Sequence, residues 1–277
     1  MSWSSVFAHD LGRGLVRKRA VVPFLQFFAM HFFFWLWARE MAEKISLGDF
    51  LFHVFAGVPV LRNVNGDSVQ VPTLWLQTFC CSLYLYLSYP LNDLTKEGEQ
   101  ILVRSGSRRR WFLSKCAWCL LASVFYYGSA LASGWIMVLV TGGDMALTCN
   151  PYFVMLSSEL PMRQGITNLQ LAQALVVLPL LTISALNLLQ MILSFWIKPI
   201  YSFLTCVTVL GVSVFVPSGF LLGNGAMLMR SSLFFEGEVS ALHGGLTALA
   251  VIILCVPIGL LRFQKYDILP PSGGMTI

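Results

Sequence analysis

The chain has 277 residues, of which 57% are hydrophobic and only 11% charged, whereas an average soluble domain carries roughly 25% charged residues. This composition excludes a disordered, collagen-like or nucleic-acid-binding protein. It also argues against a soluble globule, because 18 basic and 13 acidic side chains are too few to cover a surface of that size. The net charge of +5 is modest, so the informative quantity is where Lys and Arg fall along the chain.

At the N-terminus Trp3, Phe7, Leu11 and Leu15 recur every four residues with cations following, a pattern that suits a helix lying in the headgroup layer. Gly12 and Gly14 weaken that helix, and a basic flank that only fixes orientation is the alternative. Six charge-free apolar runs follow, each about long enough to cross a 30 Å hydrocarbon core as a helix. They cover residues 20–38, 71–89, 116–140, 173–197, 200–222 and 241–261. The first follows Arg17, Lys18 and Arg19 but is too long and bulky for a signal peptide and has no small-x-small cleavage site, so it reads as retained. The fourth and fifth are separated by little more than Lys198 and Pro199, which makes them a tight hairpin with Pro opening the second helix.

An even number of spans puts both termini on one side of the membrane. That side would hold 13 of the 18 basic residues, among them Arg13, Lys96, Arg104, Arg108, Lys198 and Lys265, so the termini are expected in the cytoplasm. The expected fold is therefore an all-α integral membrane protein, a single polytopic domain over residues 1–277.

The loop from Pro90 to Lys115 is expected to hold a short helix from Thr95 to Arg104. Glu97 and Glu99 would lie near its positive end and Arg104 near its negative end, as the helix dipole favours. Ser105-Gly106-Ser107 would stop it. Ser107 can then cap a second helix that carries Arg108, Arg109 and Arg110 into Trp111, an interfacial anchor leading to the third span. The outer loops from Arg39 to Gln70 and from Thr141 to Ala172 mix apolar stretches with Gly and Pro. Short interfacial or re-entrant helices, or a simple lid, would account for them.

Ser184, Asn187, Gln190 and Ser194 share one face of the fourth span, which must meet another helix or a wet cavity, because unpaired amides in hydrocarbon are costly. Both helix packing and the lining of a translocation path fit this face. Pro179, Pro217 and Pro257 are expected to kink their spans or to lie near helix breaks. Cys116 and Cys119 form a Cys-x-x-Cys, but no further ligands stand at zinc spacing, and the pair reads as small apolar residues one turn apart. No carboxylate lies in any span, and His9, His31, His53 and His243 form no metal-binding or catalytic pattern. Neither catalytic nor metal residues are expected. An ion-coupled carrier would call for a mid-membrane charge or an inverted repeat.

The loop stretch Glu97-Gly98-Glu99-Gln100-Ile101-Leu102-Val103-Arg104-Ser105-Gly106-Ser107-Arg108, with Trp111 and Ser114-Lys115, and the tail Arg262-Phe263-x-Lys265-x-Asp267-Ile268-Leu269 complete the pattern. Together with six spans and a basic amphipathic N-terminus, they resemble the permease subunits of bacterial ATP-binding-cassette exporters of the type-2 class. The resemblance covers nearly the whole chain in architecture and these two stretches in residues. It implies that Thr95 to Arg104 is a coupling helix docked in a cleft of an ATPase through Glu97, Glu99, Arg104 and Arg108, and that residues 3–15 lie against the membrane. It also implies a second copy or a related permease chain as partner, and a place in the bacterial plasma membrane. No Gly-x-x-x-x-Gly-Lys-Ser/Thr occurs, so ATP and Mg are expected on the partner ATPase and no cofactor on this chain. A missing Glu-Ala-Ala importer signature favours export. A secondary transporter, a non-transporting scaffold and an intramembrane enzyme are the alternatives.

Overall fold

In hydrocarbon a backbone must satisfy its own hydrogen bonds, and helices are the local way to do so. The computed structural model describes residues 7–8, 10–12, 17–60, 71–87, 107–158, 160–235 and 239–265, with 17 and 18 in backbone only. Among these residues the chain is helical, with no strand beyond two isolated bridges. In chain order the helices are α1 (Arg17–Ala38), α2 (Leu47–Phe55), α3 (Thr73–Tyr86), α4 (Arg108–Thr141), α5 (Pro151–Ser158), α6 (Asn168–Leu193), α7 (Pro199–Phe215) and α8 (Ala241–Gln264).

Four of them, α1, α4, α6 and α8, have the length and apolarity to cross a bilayer, and they match the first, third, fourth and sixth predicted runs. The second run is helical over 14 residues and the fifth over 17, both short of the usual spanning length. α7, on the fifth run, stops at Phe215, not near 222, because Pro217 biases Val216 away from helical geometry, and Val216 is extended at φ −110°, ψ 105°. α4 starts eight residues before its charge-free run. Ser107 caps it by accepting from the Arg110 amide at 3.5 Å, and the three arginines of its first turn remain exposed. α6 likewise starts early, at a capping box between Thr167 and Gln170.

Of the three prolines expected to bend their spans, Pro179 follows a π-turn over Gln173–Val177 and Pro217 ends α7. Pro257 sits inside an unbroken α8. Pro179 has no N–H to give the carbonyl of Leu175, and the Tyr127 hydroxyl donates to that carbonyl instead. α4 packs against α1 and α6, and α6 in turn against α8, α7 and α3, so α6 is the most enclosed of the long helices.

The stretch between α1 and α3 holds α2, whose residues other than His53 are all buried among α1, α3, α4 and the first turns of α6. The Phe50 ring lies 5.4 Å from that of His31, which sits seven residues before the end of α1. At 1.5 Å rise per residue, α2 therefore reaches about 10 Å down from that end of the helix. After α7 the chain folds back through two 3-10 turns, Asn224–Ala226 and Leu228–Arg230, that are themselves buried. Gly225 and Gly244 meet backbone to backbone there: a Cβ on Gly244 would lie 2.6 Å from the Gly225 Cα. Irregular backbone is tolerable at such a place only when protein surrounds it.

Candidate functional site

The polar face of α6 is enclosed. Ser184, Asn187, Gln190 and Ser194 are between 3% and 6% exposed. The Asn187 amide donates to Ser82 Oγ on α3 at 2.9 Å and to Ser123 Oγ on α4 at 3.0 Å. Gln190 Nε2 donates to the Leu83 carbonyl at 3.0 Å, and the Ser194 hydroxyl donates back to Met191. Asn187 and Gln190 thus knit three helices together, as amides in an apolar bundle do when they find partners.

At the end of the bundle where α4 begins and α8 ends, Arg108 donates to the Gln264 carbonyl at 2.9 Å, placing a cation on the negative end of α8. Trp111, expected as a headgroup anchor, is fully buried instead: its ring stacks on Phe263 at 4.8 Å. It is too far inside the helix contact to meet lipid. Asp10 and Lys115 form a buried ion pair, each 1% exposed at the side chain. The Ser114 hydroxyl also donates to Asp10, at 2.5 Å, and the Lys115 ammonium lies 5.0 Å from the Trp111 ring centroid. One carboxylate from the N-terminal segment is therefore held by two consecutive residues of α4. Glu97, Glu99 and Arg104, with the helix expected over 95–104, lie outside the described residues.

The opposite end holds a second buried cation. Arg230 is 1% exposed. Its NH1 and NH2 groups donate to the carbonyls of Ser213 and Val214, each at 2.6 Å, in the last turn of α7. Its Nε donates to Val58 at 3.0 Å, just beyond α2, and NH1 reaches Asn224 Oδ1 at 2.7 Å. Asn224 in turn donates to Val216 and Ser218. The guanidinium thus caps a short helix from outside its own sequence and ties it to the exit of α2. Between Lys198 and Glu236 it is the sole charge in the sequence, and that isolation was the available signal.

Next to this end, Asp49 closes a capping box on Ser46 and accepts from the Asn150 backbone amide at 2.6 Å, joining the stretches that follow α1 and α4. Burial pushes its carboxyl up from the ordinary range, against the pull of the donors from Asn150 and Ser46. His53 stacks on Phe34 at 4.5 Å, and burial holds its imidazole down at about 4. His31, in α1, meets Ser133 Oγ at 3.1 Å. No group of three metal-binding side chains occurs among the described residues, where all seven cysteines are free thiols.

The bundle therefore offers two charged joints at its ends and a sealed polar seam between them. No curated protein and no solved structure matches the chain. A family profile described as "Protein of unknown function (DUF2705)" matches residues 27–269, which is most of the sequence, and on that ground the chain belongs to the DUF2705 family.

Proposed function

We propose that this chain is the membrane-spanning permease subunit of an ATP-driven exporter in a bacterial plasma membrane. In this reading α3 and α7 complete a six-span bundle, both termini are cytoplasmic, and ATP with its Mg is bound by separate ATPase subunits that grip the loop before α4. A second copy or a related permease chain supplies the other half of the path.

One observation carries the proposal. α4 is a single 34-residue helix that begins at Arg108 behind its Ser107 cap, soon after Glu97, Glu99 and Arg104 in the sequence, and continues through the bundle. Its base is fastened to α8 through Arg108 and Trp111 and to the N-terminal segment through Lys115. A push on the loop would thus reach the packed bundle through a rigid rod, and packed bundles respond to small displacements by switching between discrete arrangements.

Charge reversal at Glu97, Glu99 and Arg104 is the test. Membrane insertion should stay normal, while co-purification of a nucleotide-binding chain in mild detergent is lost. Retention of that partner by the reversed protein would remove the docking role from the loop.

A further inference from the structure

We infer that the end of the bundle where α6 turns into α7 carries a binding site for the phosphate headgroup of an anionic phospholipid. Its residues are Trp196 and Lys198 on the turn and Arg262 near the end of α8. The Arg262 guanidinium lies 5.8 Å from the Trp196 ring centroid, and that ring is 47% exposed. Arg262 Nε is shielded from solvent and has no acceptor among the described residues. Lys198 and Lys265 are exposed, and Asp10–Lys115 is the one ion pair among the described residues, so neither lysine nor Arg262 meets a carboxylate there.

The local helix electrostatics sharpen the point. A helix N-terminus carries partial positive charge and favours an anion. α7 has no side-chain cap and no acid in its first turn, and the residue at its cap is Lys198, a cation on the wrong end. The α7 N-terminus and Lys198 thus add positive charge beside Trp196, near whose ring the Arg262 guanidinium lies, and no carboxylate among the described residues meets either cation. A phosphodiester would supply the counter-charge that these cations lack. Exposed Ile197, Ile200 and Leu261 adjoin the site and offer an apolar surface to acyl chains. An amphipathic Trp beside basic residues at a helix end suits the level of the headgroups. The inference needs only that the chain sits in a bilayer and is independent of any transport role.

Native mass spectrometry of the purified full chain, with phosphatidylglycerol or phosphatidylcholine added to the detergent, tests it. The wild type should retain phosphatidylglycerol preferentially. R262Q and K198Q should each lower that retention about fivefold, the scale of one basic residue near an anionic lipid surface. R262K should keep most of it, and R163Q, in an outer loop at the far end, should change nothing. Equal retention of the two lipids, or equal losses in R163Q, would overturn the site. So would displacement of the lipid by millimolar inorganic phosphate, which would mark a free-anion site. Unchanged lipid retention in R262Q together with loss of a co-purifying protein would assign the patch to protein docking and overturn it as well.

Discussion

The two ends of the bundle each bury one cation, and they do so in opposite ways. Lys115 meets a carboxylate more than a hundred positions away in sequence, on the N-terminal segment. Arg230 meets backbone carbonyls of two short elements, with Asn224 as an added acceptor. The buried Asp10–Lys115 pair can separate if the N-terminal segment lifts away, because Asp10 then reaches water with that segment. A carbonyl cradle cannot, because opening it strands the last turn of α7 and the exit of α2 without donors. The Arg230 end is therefore the fixed frame of the molecule, and the Lys115 end contains a separable joint.

The sharpest way to break this contrast is to remove each cation. Arg230→Met should cost at least about 3 kcal/mol, since several buried carbonyls lose a charged donor at once. The expected readout is a collapse of the monodisperse peak in detergent size exclusion, with R230K partly restored. An R230M protein as stable as the wild type would show that the cradle is not a frame. Asp10→Asn or Lys115→Met would cost about 3 to 5 kcal/mol if the N-terminal segment stayed docked, so that segment is expected to detach instead, at a smaller cost. That loss should appear as faster proteolysis of the first residues with little change in melting temperature. The exchange D10K with K115D should restore protection if the pair itself is the joint.

How much of this was legible in the sequence follows the physics of each signal. Charge-free length revealed all four long helices, because a bilayer imposes length directly. It missed their starts: Arg108 to Arg110 and Asn168 to Ala172 are helical, but the length criterion stops at charge or polarity while a capped helix does not. Ser107 as a cap was readable from its local pattern, and the amide face of α6 from its spacing. The partners Ser82, Ser123 and Leu83 were not, because they depend on which helices become neighbours. Asp10 is the sole acid before Glu40 and Arg230 the sole charge in a long apolar stretch, yet an isolated charge in a sequence reads equally well as a solvated loop residue. Only the three-dimensional path of the chain shows that both are buried.

The Arg230 end has a pH-dependent component. With His53 held at about 4 when folded and about 6.5 when unfolded, the unfolded chain binds more protons between those values. Stability should therefore be lost as pH falls through that window, by roughly 2 kcal/mol between pH 7 and pH 5. Asp49 acts in the opposite sense, since its raised carboxyl favours the folded state at low pH and that contribution fades as pH rises. His53→Phe keeps the stacking on Phe34 and isolates the histidine: the difference between its melting temperature and that of the wild type should grow in its favour as pH drops. A difference independent of pH would mean that the fold leaves the proton affinity of His53 as it is in the unfolded chain.

The seam between the two ends should give the smallest effect. Interhelical hydrogen bonds in membranes average about 0.6 kcal/mol and reach about 1.7, because an unfolded chain in lipid also finds partners. Asn187→Leu is nearly isosteric and removes donors to two helices, leaving Ser82 and Ser123 able to bond within their own helices; Ser123 already donates to Cys119 at 2.9 Å. A loss of about 1 kcal/mol in a denaturant titration is expected, with the bundle still folded. A much larger loss would mean that the amide positions α3 and α4 relative to each other beyond the worth of its bonds. That result would move the rigid frame from the Arg230 end to the middle of the molecule, where a transport path would have to open through it.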